Sequence, residues 1–204
     1  MKLISPNSDF KEGLAQIISL MVQPLIMTIL VFVIFNYFST NKNDFFMLTL
    51  LCLLFATFLP LTTILMWIKR NKLDLDVSNR DKRTFPLLLG IISYLIGVTI
   101  LFIVGAPDIV IVLMFCYLTS TMLTLLITFF WKISVHAMGV AGPTAAITFV
   151  FGYPGLLLMF PLIMVMWSRI YLKKHTPAQV IIGAVTSLIV TWTQFNILLG
   201  LNII

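Results

Sequence analysis

PLLLGIISYLIGVTILFIVGA, residues 86–106, carries no charged side chain over its whole length. At about 1.5 Å per residue such a run spans roughly 30 Å as a helix, the thickness of a bilayer's hydrocarbon core. To its left lies the polar stretch LDLDVSNRDKRTFP, residues 73–86, and to its right the terse GAPD, residues 105–108. Beyond GAPD another apolar run begins. The pattern recurs along the chain, with spans expected at about 14–37, 45–68, 86–106, 109–131, 137–152, 155–172 and 177–202. Lipid leaves backbone amides no outside partner, so runs of this length are helices. The expectation is an all-α, polytopic transmembrane helix bundle of six to seven spans, with residues 1–204 as a single integral membrane domain.

Composition agrees. The 204 residues are 60% hydrophobic and 10% charged, with a mean hydropathy of +1.10. The fifth run is short and carries Pro143. It is expected to be tilted, or to join the sixth in a hairpin through Gly152-Tyr153-Pro154-Gly155. The first run has no small-residue cleavage site and reads as a retained span. Cys52 and Cys116 fall inside spans, without CxxC or Cys/His metal spacing. Gln23, Asn36 and Gln194 are polar exceptions within spans and read as interhelical hydrogen-bonding residues.

The net charge of +6 is here a question of topology, and no nucleic-acid partner is expected. With seven crossings, Lys42 alone falls on one side. The other side receives the remaining twelve basic residues: Lys2, Lys11, Lys69, Arg70, Lys72, Arg80, Lys82, Arg83, Lys132, Arg169, Lys173 and Lys174. Basic residues concentrate in cytoplasmic loops. The basic face is therefore expected to be cytoplasmic, in a plasma (inner) membrane.

Three polar clusters share that face: residues 73–86, WKISVHAMGVAGP at 131–143, and SRIYLKKHTPAQVIIGA at 168–184. They include both histidines, His136 and His175. A phosphate ester needs guanidinium and ammonium ligands. Two imidazoles can divide attack on phosphorus and protonation of the leaving oxygen, with no metal and no cofactor. A nucleophilic imidazole needs its far nitrogen held by an acceptor. Gln179 follows His175 by four residues, one helical turn on the same face.

The order Ser168-Arg169, five residues, His175, three residues, Gln179 resembles the third signature of the type-2 phosphatidic acid phosphatase superfamily, S-R-x5-H-x3-D. Ile133-Ser134-Val135-His136 matches its P-S-G-H signature at Ser and His. Arg80 and Arg83 before Pro86 resemble its K-x6-R-P signature with different spacing. The resemblance covers about residues 72–190. It implies that His175 is the phosphorylated nucleophile and His136 the acid. It further implies that Arg169 and Ser134 bind phosphate, with Arg83, Arg80 and Lys132 as additional ligands.

The substrate implied is a phospholipid or isoprenyl phosphate drawn from the surrounding membrane lipids. Nothing in the sequence selects its tail or headgroup. The chain departs from the signature at Gln179, where the family has Asp. Asp74, Asp76 and Asp81 are the acids that could replace that carboxylate in space. Two other roles fit the composition. One is a catalytically diverged member that binds lipid or acts structurally. The other is an intramembrane prenyltransferase built on DLDVSNRDKR, whose usual second aspartate cluster is missing here.

Overall fold

The computed structural model describes residues 10–74, 77 and 79–200. Lys2, Asp76 and the last two residues of the expected 177–202 span lie outside them. Every regular element among the described residues is helical. They are α1 (Phe10–Met21), α2 (Pro24–Ser39), α3 (Lys42–Leu53), α4 (Leu59–Asn71), α5 (Thr84–Ile103), α6 (Asp108–Phe130), α7 (Val135–Phe151), α8 (Met159–Tyr171) and α9 (Pro177–Gly200).

Each expected span has a helical counterpart. Lys42–Asn71, Arg80–Ile103, Asp108–Phe130, Tyr153–Tyr171 and Pro177–Gly200 are long and apolar enough to cross a membrane. α1 and α2 together make a sixth candidate, bent by 40° where they meet. Pro24 starts α2 at its first position, where no intrahelical N–H is needed. α7 has 17 residues and reaches about 26 Å. It remains helical through Pro143, then turns at Gly152 (φ +70°) into a 3₁₀ turn, Tyr153–Leu158, that leads to α8. The fifth and sixth segments thus form the expected hairpin, with α7 packed on α8.

α3 and α4 form one span interrupted by a π turn, Leu54–Phe58. The cause lies in Pro60. Proline has no N–H to give the carbonyl four residues back, and its ring collides with that carbonyl. Widening the turn relieves the clash. Leu59 N–H then reaches back to Leu54, and the Phe55 carbonyl is met by the Ser93 hydroxyl of α5 at 2.7 Å.

α7 is the central helix. Its small residues allow close approach, the common device where lipid removes any hydrophobic drive between helices. At Gly139 a Cβ would sit 2.5 Å from Pro24 Cβ, so only glycine lets α2 cross there. On its other side α7 lies along α9. Of the three polar residues singled out within spans, Gln194 and Asn36 make the expected bonds, and Gln23 caps no helix end with its side chain. Gln194 Nε2 donates to Thr119 Oγ1 at 2.8 Å. Asn36 Nδ2 donates to the Phe32 carbonyl at 2.9 Å and lies 3.6 Å from Cys52 Sγ.

Candidate active site at the basic end of the bundle

The corner between α8 and α9 is wound by two local motifs. After α8, Lys173 adopts φ +53°. Its N–H donates to Ile170 O at 2.9 Å, and the Lys174 N–H donates to Arg169 O at 3.1 Å. This is the Schellman pattern that closes a helix C-terminus. The His175 N–H also reaches Arg169 O, at 3.3 Å. The five residues between Arg169 and His175 are therefore the last helical residues plus this turn, which hangs the imidazole-bearing residue on the arginine's own carbonyl.

A capping box follows immediately. Thr176 Oγ1 accepts from Gln179 N–H at 3.3 Å, and Gln179 Oε1 accepts from Thr176 N–H at 3.2 Å. The pair satisfies two of the backbone donors left over at the start of α9. The same Gln179 oxygen lies 3.1 Å from His175 Nδ1. A backbone N–H requires the oxygen, not the NH₂, at that place, which fixes the amide's orientation. An amide oxygen only accepts, so Nδ1 carries the proton and Nε2 keeps its lone pair.

The second cluster meets this corner through a backbone bond and a side chain to backbone bond, and the first cluster ties to the second. Ser134 N–H donates to Gln179 O at 3.2 Å. Lys132 Nζ donates to Lys174 O at 3.0 Å. Arg83 is buried, with Nε on Val77 O at 2.8 Å and Nη1 on Ile133 O at 3.2 Å. Val77 takes φ +43°, a region that β-branched residues rarely enter. Arg169 is also buried, and its Nη1 donates to Ser19 Oγ of α1 at 2.9 Å. Its neighbour Ser168 donates to Ala15 O at 2.8 Å.

These ties surround a cavity of about 940 Å³. His136, on the first turn of α7, lines it, as do His175, Arg169, Arg83 and Lys174. The structure thus brings both histidines and two of the expected arginines to one cavity. Three expected phosphate ligands serve differently, among them Lys132, which donates to Lys174 O and does not line the cavity. Ser134 is fully buried and caps α7, its Oγ accepting from Ala137 N–H at 3.4 Å. Arg80 is half-exposed, bonding Asp81 at 3.4 Å and Phe130 O at 3.1 Å. Neither residue lines the cavity. Asp81 is 79% exposed and is held by Arg80, away from His175.

His175 is 7% exposed. Burial above all, together with the cationic Arg83, Lys132 and Arg169, pushes its pKa down to about 4 against the raising effect of Gln179. At neutral pH the ring is uncharged, the form in which Nε2 is nucleophilic. Among the described residues, no three His, Cys, Asp or Glu side chains gather to hold a metal ion.

The sequence reading missed the wall supplied by α1. Glu12, Gln16, Ser19 and Gln23 line the cavity. Glu12, Gln16 and Ser19, spaced by four and three residues, share one face of α1, and Gln23 follows in the bend before α2. That polar stripe beside Leu14, Ile17 and Met21 was the available signal. Compared with known proteins, the chain matches no family model, no curated protein and no solved structure.

Proposed function

We propose that this chain is a membrane-embedded, metal-independent phosphatase of a lipid or isoprenyl phosphate or diphosphate. The observation that carries this reading is the His175–Gln179 couple, with Nε2 left unprotonated, at a cavity mouth shared with His136 and Arg169. In the proposed reaction Nε2 attacks phosphorus and the bond from phosphorus to the leaving oxygen breaks. His136 gives that oxygen its proton. Water then attacks the phosphohistidine, its proton passes to His136, and orthophosphate leaves. Arg83 and Arg169 stabilise the charge on the non-bridging oxygens. The twelve-to-one division of basic residues supports a cytoplasmic site in a plasma membrane.

One observation favours a second reading. Gln179 completes a capping box and would be useful to α9 without any chemistry. A diverged lipid-binding protein would keep it for that reason alone. Phosphate release by purified protein from phosphatidate, phosphatidylglycerophosphate and an isoprenyl diphosphate, with EDTA present, separates the two. The phosphatase reading expects release that EDTA does not diminish. Binding of these lipids without release would establish the second reading.

A further inference from the structure

The cavity divides sharply by charge. Its ionisable lining consists of Glu12, Arg83, His136, Arg169, Lys174 and His175, apart from Cys116 and two tyrosines deeper in. All six lie on α1 or at the ends of α5, α7, α8 and the α8–α9 corner. The rest of the lining has no charge and runs far inward. It reaches Tyr94, 11 residues beyond Arg83 on α5, and Thr191, 16 residues beyond His175 along α9. At about 1.5 Å per residue these depths are roughly 16 to 24 Å. One leaflet of a bilayer's hydrocarbon core is about 15 Å thick, half of roughly 30 Å. The interior is as deep as one lipid chain is long. Leu113 and Cys116, which belong to the packed apolar core, lie at its inner end.

Thr57 shows where the π turn of the Lys42–Asn71 segment meets the cavity. Thr57 is 1% exposed, lines the cavity, and its Oγ1 has no hydrogen-bond partner. Thr28, Thr124, Thr128 and Thr144 donate instead to the carbonyl four residues back, at 2.6 to 2.8 Å. Thr57 sits in the π turn and makes no such bond. An alkyl chain cannot meet that hydroxyl, so Thr57 marks the wall of the cavity and not a bond to its occupant.

We infer that the cavity is a chain-binding shaft. It takes one uncharged chain of a phosphate-headed amphiphile into the bundle, with the phosphate at the histidine mouth. At roughly 30 Å³ per water-sized group, 940 Å³ holds a phosphate and one lipid chain. A second chain stays outside in the bilayer. The inference rests on the proposed phosphatase reading for its headgroup, but not for the shaft itself.

Gly90 offers a way to fill the shaft. It lines the cavity, and a Cβ added there meets nothing closer than Tyr94 Cε2 at 3.7 Å. The test is phosphate release from butyl, octyl and dodecyl phosphate below their micelle concentrations. The wild-type kcat/KM should rise at least about 100-fold from butyl to dodecyl, since each buried methylene favours binding. Gly90→Leu should lower that ratio at least tenfold, and Thr57→Leu should do the same from another helix. A flat series, or a ratio unchanged in both variants, overturns the shaft while leaving the phosphatase reading intact. If no ester is cleaved, calorimetry with butyl- and dodecylphosphonate decides. Tighter dodecyl binding that both variants weaken supports the shaft even as the phosphatase reading falls. Equal binding of the two phosphonates overturns the shaft.

Discussion

The corner between α8 and α9 and the corner between α4 and α5 bring arginines to the same cavity mouth by opposite means. Around Arg169 and His175 the backbone does the positioning. A Schellman turn and a capping box, all within residues 168–179, set the ring and its partner amide, while the Arg169 guanidinium reaches out to Ser19 of α1. Around Arg83 the contacts come from afar. Its guanidinium holds Val77 O and Ile133 O, the Lys82 carbonyl accepts from Trp67 Nε1 at 3.0 Å, and Arg80 reaches Phe130 O. The first corner is a local fold that presents chemistry. The second is a clamp joining two loops, and its arginine has structural work besides any contact with phosphate.

The contrast can be broken by substitution, beginning where the largest effect is expected. His175→Ala removes the proposed nucleophile but no part of either cap. Phosphate release should fall by about 10³-fold or more, with thermal unfolding shifted by the equivalent of about 1 kcal/mol, the worth of one neutral hydrogen bond. A variant that keeps a tenth of the activity would remove His175 from the chemistry. Arg83→Met should act on stability as well as on phosphate release, which should fall by about 10²-fold. It strands two buried carbonyls and should cost about 3 kcal/mol, read from thermal unfolding. Arg80→Met, at the exposed end of the same turn, should cost no more than about 1 kcal/mol. Equal costs would mean that the clamp has been misassigned.

Gln179 sharpens the comparison, because there one side chain serves both cap and ring. The His175 pKa is held down to about 4, and the neutral ring is the active form. The acid limb of kcat/KM attributable to His175 should therefore lie near pH 4, with activity lost as pH falls through that value. Gln179→Asp places a carboxylate beside the ring, favours the imidazolium, and should move the limb upward toward the ordinary histidine value. Activity at pH 7 should be equal or higher. Gln179→Ala should lose about 1 kcal/mol of capping and roughly tenfold in rate. If Gln179→Asp abolishes activity while Gln179→Ala preserves it, residue 179 does not orient His175. Topology is checked without expecting any change in activity. Cysteines introduced at Lys42 and Lys174 should be labelled from opposite sides of the membrane, and labelling from one common side would contradict the expected seven crossings, in which the short α7 counts as one.

The legible parts of this chain were those set by periodicity or short spacing. Uncharged runs of about 20 residues foretold the helices because lipid permits little else. The i, i+4 spacing of His175 and Gln179 foretold their contact, although the capping box at Thr176, and not a shared turn of α9, brings the amide to the ring. The parts that depend on tertiary packing could not be read in this way. Ser134 follows its motif's pattern, yet the start of α7 claims its hydroxyl as a cap. Arg80 and Arg83 look alike in sequence, and the 3₁₀ turn at Arg80–Arg83 sends one outward and the other inward. Thr57 and Tyr94 looked like ordinary residues of a span. Only the π turn forced by Pro60, and the space beside Gly90, expose them to a cavity.

The central claim is that His175 carries phosphate during turnover. His136→Ala should slow departure of the leaving group and reaction of the intermediate with water. Incubating that variant with a ³²P-labelled lipid phosphate, quenching in base and mapping the label by peptide tests the claim directly. The account predicts acid-labile, base-stable label on the peptide containing His175, and none in the His136→Ala, His175→Ala double variant. Label elsewhere, or label that survives loss of His175, would contradict it.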